Sequence, residues 1–158
     1  MKIFISHQKQ DRDACTKIAD YLKTVGIDVY FDEFDRELQI ASQNNDSKGV
    51  VNAIKKGINQ CTHMLCIISP NTLNSKWVPF EVGYGYDKTE LATLTLKGIK
   101  NSDLPEYIKV APIIRDIYDI NEFVKRHGNK FIFESRKFSE FSSYQHPLSN
   151  VMDSIITK

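Results

Sequence analysis

The sequence of 158 residues has little that would point to a disulfide-stapled, membrane or nucleic-acid-binding protein. Its three cysteines are an odd number with no C-x-x-C spacing, and no histidine pair completes a zinc pattern, so we expect buried thiols and no metal site. No apolar run approaches the roughly 20 residues of a membrane span, and the amino terminus lacks a cleavable leader pattern. With 21 Lys and Arg against 20 Asp and Glu, no basic surplus favours nucleic acid. We therefore expect a cytoplasmic globular protein without nucleic-acid or membrane partners.

The length and composition are those of one folded domain. A domain usually has roughly 100–200 residues, and a chain of about 150 residues buries close to 70% of its unfolded surface. The sequence is 41% hydrophobic and 26% charged, which is not the composition of a disordered chain. The chain therefore needs no cross-link to fold, but its composition says nothing about chemistry.

Short apolar runs alternate with segments of helical period along the chain. Strands are predicted at residues 2–6, 27–31, 63–69 and 90–96, with a short edge strand within 110–114. Helices are predicted from Ala14 to a stop at Gly26, from Asp46 or Ser47 to Gln60, over 76–87, and from a capping box at Asp119 through Arg126. This alternation predicts an α/β fold with a doubly wound parallel sheet of four to five strands.

Two stretches are predicted to be less regular. Residues 32–46 are expected to form a long polar loop that begins with an acidic run. Residues 128–158 are expected to form an extension packed on the same domain as residues 1–127, ending in an amphipathic helix that Pro147 opens.

The segments that follow the first three strands are where a ligand is expected, because open α/β sheets bind ligands at the carboxyl ends of their strands. These segments are SHQKQ, DEFDREL and SPNTLNSKWVPFE. The third follows a strand that is apolar without alternation, as in the buried centre of a parallel sheet.

The same three segments resemble the TIR domain family. KIFISH, GIDVYFDE and CTHMLCIISPNTLNSKWVPFEVG occur in the order and spacing of that family, and the third is the most specific, with Ser-Pro after the strand and then Trp-x-x-x-Glu. The likeness is greatest to bacterial stand-alone TIR proteins, including those of Thoeris-type antiphage defence, and it covers roughly residues 1–127. It implies the flavodoxin-like TIR fold.

The resemblance also implies an enzyme that cleaves the nicotinamide–ribose bond of NAD, an NAD nucleosidase or ADP-ribosyl cyclase-type glycosidase. NAD would be the substrate, with no further cofactor and no metal, and the product could be a cyclic or conjugated ADP-ribose signal for a separate effector protein. Glu81 would be the catalytic residue, and Trp77, four residues earlier, would share its helix face. The alternative for this pair is a core tryptophan beside an unrelated surface glutamate.

Four further residues are candidates for binding NAD. Ser6, His7 and Lys9 follow the first strand, where a hydroxyl, an imidazole and an ammonium could meet the pyrophosphate; the alternative is a loop-capping serine and a solvated histidine. Phe34 is a candidate for stacking on nicotinamide or adenine. With Trp77 as a scaffold residue, these complete the expected binding site.

Two other functions remain open from the sequence. The chain could be a non-enzymatic assembly module that self-associates through the 32–46 loop, although this loop lacks the Pro-Gly of receptor-type TIR domains. It could also be a nucleoside deoxyribosyltransferase-like enzyme, which uses a glutamate on a related sheet. No motif identifies the nucleotide product, the activating trigger, the oligomeric state or the role of the aromatic tail.

Overall fold

The computed structural model describes residues 1–129 and 146–154, except for the side chains of residues 32–35. Its strands are β1 (Lys2–Ser6), β2 (Asp28–Tyr30), β3 (His63–Ile68), β4 (Glu90–Thr95) and β5 (Ile113–Ile114). Its α-helices are α1 (Arg12–Thr24), α2 (Asp32–Gln43), α3 (Ser47–Asn59), α4 (Val78–Lys88) and α5 (Ile117–His127). None of the helices in these residues is long and apolar enough to cross a membrane.

The described strands form one parallel sheet in the order β2-β1-β3-β4-β5. The chain runs outward from β1 to β2 and then crosses back to β3 on the other side of β1, so the switch point lies between β1 and β3. This confirms the predicted doubly wound α/β fold, and β5 is an edge strand as expected. Ser6, the last residue of β1, pairs with Cys66 near the end of β3, which places the carboxyl ends of both strands at the switch point.

Helices cover both faces of the sheet. One hydrophobic cluster joins alternate residues of β1 and β3 to α1 and α5, and the other joins the remaining residues of these strands to α3 and α4. Leu65 and Ile67 belong to the first cluster, whereas Met64, Cys66 and Ile68 belong to the second. This division explains why β3 is apolar without alternation.

Glycine allows two helices to approach the sheet closely. A Cβ atom on Gly57 of α3 would lie 2.7 Å from the Phe4 ring, and one on Gly85 of α4 would lie 2.5 Å from the Met64 sulfur. Gly83 faces open space instead. Of these two glycines in α4, only Gly85 is therefore needed for close packing.

The predicted loop at residues 32–46 is wrong, because α2 occupies Asp32–Gln43. The second half of α2 lies against α3, where the Lys56 ammonium is 2.7 Å from the Glu37 carboxylate and Ala41 joins the hydrophobic cluster. Only a short turn then precedes Asp46, whose side chain caps α3 as predicted by accepting a hydrogen bond from the Gly49 amide at 2.9 Å.

The final helix predicted from Pro147 is also wrong over the described residues, because 147–154 form turns. The backbone of this segment pairs with other parts of the chain: the amide of Lys97 donates to the Val151 carbonyl, and that of Ile117 donates to the Asp153 carbonyl. Leu148 and Met152 are still buried in the core. The rest of the predicted extension, 130–145 and 155–158, lies outside the described residues.

The start of α5 differs from its prediction by three residues. Asp116, and not Asp119, is the N-cap, because its side chain accepts a hydrogen bond from the Asp119 amide at 2.8 Å. The end of the helix at Gly128 agrees with the prediction.

Candidate active site

A buried carboxyl group lies at the switch point of the sheet. Ser6 is the last residue of β1 and Glu81 is in the first turn of α4; their exposed fractions are 0% and 1%. The Ser6 hydroxyl donates a hydrogen bond to Oε2 of Glu81. The two residues are 75 positions apart, so the fold brings them together.

The start of α4 fixes the position of Glu81. The Val78 amide donates to the Ser75 hydroxyl at 3.0 Å, and the Glu81 amide donates to the Trp77 carbonyl at 2.9 Å. Pro79 is tolerated because amide groups in the first turn have no helical partner. Trp77 therefore precedes Glu81 by one turn, and its ring packs edge-on against Phe80 at 6.2 Å between centroids.

Burial changes the protonation of the groups around Glu81. Burial raises the pKa of Glu81 to about 8, although the Ser6 hydrogen bond opposes this rise. Burial, and then the charge of Glu81, raise the pKa of the Cys66 thiol. Burial together with the charges of Cys66 and Glu81 raises the pKa of Tyr107 to about 12. In the absence of substrate, Glu81 is therefore largely protonated at neutral pH, and the thiol and phenol keep their protons.

Glu81 lines a cavity of about 460 Å³. The walls come from four parts of the chain: the loop after β1, the second half of α2, the start of α3, and the segment that leads into α4. The lining residues are His7, Gln8, Lys9, Leu38, Gln39, Ser42, Gln43, Val50, Asn74, Ser75, Lys76, Trp77 and Glu81. Two ammonium groups and one buried carboxyl group are thus among its polar features.

The structure brings most of the predicted site residues to this cavity. His7, Lys9, Trp77 and Glu81 line it, whereas Ser6 lies behind Glu81 and does not. The side chain of Phe34, the remaining candidate, lies outside what the structure describes.

The alternative of a solvated histidine is wrong, because only 8% of His7 is exposed. Its ring packs against Phe31, with 5.0 Å between centroids, and Nδ1 lies 3.3 Å from the Ile5 carbonyl oxygen. The His7 ring is therefore held in place at the edge of the cavity.

Sequence reasoning missed several residues of the site. The wall formed by α2 was missed because residues 32–46 were predicted to be a loop. Lys76 stands next to Trp77 in the motif and could have been found there. Asp11 is 8% exposed and links two loops of the site, since its carboxylate accepts hydrogen bonds from the Ser69 hydroxyl and, at 2.9 Å, from the Asn71 amide.

Within residues 1–129 and 146–154, no group of three or more His, Cys, Asp or Glu side chains could hold a metal ion. The chemistry that these residues offer is that of one buried carboxyl group beside a cavity with cationic walls.

Comparison with known proteins adds two relatives and one structure. The chain is 25% identical over 118 residues to the probable 3' cyclic ADP-D-ribose synthase ThsB' of Bacillus cereus (strain MSX-D12), covering 74% of this chain and 51% of that protein. It is 30% identical over 80 residues to the NAD(+) hydrolase TcpC of Escherichia coli O6:H1 (strain CFT073), covering 50% of this chain and 24% of that protein. The match thus spans about half of the first relative and a quarter of the second.

A solved structure shows the same fold. The TIR domain of the Toll-related receptor TRR-2 from Hydra magnipapillata superposes with a TM-score of 0.52 and 11% identity, covering 85% of this chain and 97% of that domain. A sequence profile described as TIR domain matches residues 3–127, and the chain belongs to that family.

Proposed function

We propose that this TIR domain cleaves the bond between nicotinamide and ribose in NAD, with Glu81 as its catalytic residue. The observation that supports this most directly is the buried Glu81 carboxyl group in the wall of a cavity of about 460 Å³. Small-molecule sites are typically about 300–1,000 Å³ with a few polar groups. The two relatives are named as a cyclic ADP-ribose synthase and an NAD hydrolase, and these names support a reaction on NAD.

One carboxylate is enough for this reaction. The nicotinamide ring is cationic in NAD and leaves as a neutral base, so no general acid has to protonate it, in contrast to ordinary glycoside hydrolysis. Positive charge then develops on the ribose in an oxocarbenium-like transition state. A fixed carboxylate in a water-poor site stabilises that charge.

NAD itself would ionise Glu81. The pKa of Glu81 is raised to about 8 by burial, so without substrate the group is mainly the neutral acid at neutral pH. A cationic ring bound beside the carboxyl group favours its charged form and lowers that pKa. Binding of the substrate would thus release the Glu81 proton to solvent and leave the carboxylate that the reaction needs.

The cationic wall of the cavity suits the pyrophosphate. Lys9 comes from the loop after β1 and Lys76 from the segment before α4, and both line the cavity. Ammonium groups bind phosphate oxygens through charge-assisted hydrogen bonds. Trp77 forms part of the same wall.

The product depends on which nucleophile captures the ribosyl cation. Water gives ADP-ribose, whereas a group of the same ADP-ribose gives a cyclic isomer. We propose a cyclic ADP-ribose that a separate effector protein senses in antiphage defence; the name of the Bacillus cereus relative supports the cyclic product, and the defence role is the one that the sequence resemblance implies.

The test is nicotinamide release from NAD by the purified protein, with mass spectrometry of the second product. Glu81→Gln should abolish release. Glu90→Gln, at the opposite end of the sheet with 82% of its side chain exposed, is the matched control and should retain it. Base exchange between nucleosides without NAD cleavage would instead indicate the deoxyribosyltransferase-like enzyme.

Self-association is a second proposal, and the surface proposed for it is that of α2. Ile40 is 56% exposed on that helix, so its side chain is available for a contact with another copy. Sedimentation at increasing concentration should show larger species that Ile40→Glu reduces. Val110→Glu, at an 82% exposed site after α4 and β4, is the control. Equal assembly of both variants would count against this surface.

A further inference from the structure

Ser6 is placed to act on Glu81 and not on the substrate. It is fully buried at the end of β1, and its hydroxyl contacts the Glu81 carboxyl group from behind the cavity wall. It does not line the cavity. From the sequence alone, Ser6 was a candidate for binding the pyrophosphate of NAD, with a loop-capping serine as the alternative.

We propose that Ser6 is a positioning residue that holds the Glu81 side chain in one orientation and favours its carboxylate form. The proposal rests on the proposed catalytic role of Glu81. Ser6 would touch neither NAD nor the reacting atoms.

The direction of the hydrogen bond supports this role. When Glu81 is ionised, its carboxylate only accepts hydrogen bonds, so the Ser6 hydroxyl gives its one proton to Glu81. Cys66 pairs with Ser6 across β1 and β3, and because burial raises the pKa of its thiol, it stays neutral beside this bond.

This arrangement leaves Ser6 no proton for a phosphate oxygen. A hydroxyl group has one proton to donate, and here it is donated to the Glu81 carboxylate. A hydrogen bond to the charged form of an acid lowers its pKa. Ser6 therefore offsets part of the effect of burial, as the opposing effects on the pKa of Glu81 indicate.

Other titratable groups also face Glu81 from the surrounding elements. Cys66 and Tyr107 are on the protein side, and their raised pKa values keep them neutral at physiological pH. His7, Lys9 and Lys76 are on the cavity side. A change confined to Ser6 leaves all of these in place, so its effect on Glu81 can be measured separately.

The primary experiment is a carbon-13 NMR titration of the Glu81 side-chain carboxyl group in the substrate-free protein, with the signal assigned from Glu81→Gln. Ser6→Ala should move the midpoint to a pH higher by about one or more, the change expected for loss of a hydrogen bond to a charged group. Ser6→Thr keeps the hydroxyl and should stay near the wild-type midpoint. An unchanged midpoint in Ser6→Ala, or the same rise in Ser6→Thr, would overturn the proposal.

Kinetics provide the second measurement. In Ser6→Ala the rise of kcat/KM for nicotinamide release with pH should move to higher pH together with the NMR midpoint, with the larger loss of kcat/KM on the acid side, because kcat/KM reports the ionisation of the free enzyme. A merely structural role would lower kcat/KM equally at every pH. If the wild-type protein does not cleave NAD, the proposed function fails, but the titration of the substrate-free protein still decides whether Ser6 controls Glu81.

Discussion

The carboxylate of Asp11 accepts a hydrogen bond from the hydroxyl of Ser69, 58 residues away. Asp11 ends the 3₁₀-helix that follows β1, and Ser69 directly follows β3. The same carboxylate accepts from the side-chain amide of Asn71. This contact therefore ties together the two loops that carry His7 and Lys9 on one side and the approach to Trp77 on the other.

Asp11→Ala should destabilise the protein and disorder this edge of the cavity. It leaves the Ser69 hydroxyl without its acceptor in a buried site, which typically costs about 1–3 kcal/mol. Urea unfolding measures the change in the free energy of unfolding. Asp13→Ala, at an exposed position of α1, is the matched control and should stay within about 0.5 kcal/mol of the wild type. Equal stability of the two variants would contradict the role given to Asp11.

The strands were predictable because the pattern of apolar residues along each of them indicates which faces are buried. The apolar run from Met64 to Ile68 has no alternation, and all five of its residues are buried. Gly26 marks the end of α1 because its φ of +85° is a conformation that glycine adopts without strain. Each of these signals is local, so no knowledge of the rest of the fold was needed.

Helix α2 was missed although its sequence contains a helical signal. Phe34, Leu38 and Ala41 recur at spacings of four and three, and no glycine or proline interrupts Asp32–Gln43. The charged residues around them dominate the average polarity and indicated a loop. For residues 147–154 the error was opposite. Leu148 and Met152 have helical spacing, but the carbonyls of Val151 and Asp153 accept hydrogen bonds from residues far along the chain.

The residues of the candidate site were predictable where they belong to one short sequence motif. Trp77 and Glu81 belong to one short segment, and its position after the central strand was enough to place them. The contact between Glu81 and Ser6 was not predictable, because it depends on the pairing of β1 with β3 and on the packing of α4. Lys76 could have been found beside Trp77 in the motif, but its position opposite Lys9 in one cavity depends on two separate loops.

Two glycines in helices should respond to alanine in opposite ways. Gly57→Ala would place a methyl group 2.7 Å from the Phe4 ring and 2.9 Å from the Tyr30 ring. These buried rings have little room to move, and overpacking typically costs about 1–3 kcal/mol. Gly83→Ala, with no atom within 4 Å of its Cβ, should stabilise by about 0.5–1 kcal/mol through helix propensity. Thermal unfolding compares the two, and a Gly57→Ala protein as stable as Gly83→Ala would refute the close approach of α3.

Glu81→Gln should stabilise the fold increasingly as pH rises. The pKa of Glu81 is raised by burial from its ordinary 4.5 to about 8. Between these values the unfolded chain loses a proton that the folded protein keeps, so wild-type stability falls as pH rises through this window. Glu81→Gln has no ionisable group at this position, so its stability does not fall in this way. Since a tenfold change in a protonation equilibrium corresponds to about 1.4 kcal/mol, the gain over wild type should be near zero at about pH 4 and of the order of a few kcal/mol at about pH 8.

Urea unfolding of both proteins across this pH range measures the gain. Glu106→Gln is the control, since 88% of the Glu106 side chain is exposed, and its difference from wild type should not grow with pH. A Glu81→Gln gain that is independent of pH would mean that Glu81 ionises normally in the folded protein.

Lys9→Met and Lys76→Met should each weaken the binding of a pyrophosphate ligand. Both side chains line the cavity from different loops, and a charge-assisted contact to phosphate is worth about 1.5–3 kcal/mol, or roughly 10- to 150-fold in affinity. Calorimetry with ADP-ribose needs no turnover and should show this loss, together with a weaker dependence on salt. Adenosine, which has no phosphate, should bind the variants and the wild type equally. Lys17→Met, on the exposed face of α1, removes the same charge elsewhere, and an equal loss of ADP-ribose affinity in that variant would show that net charge, and not these two positions, controls binding.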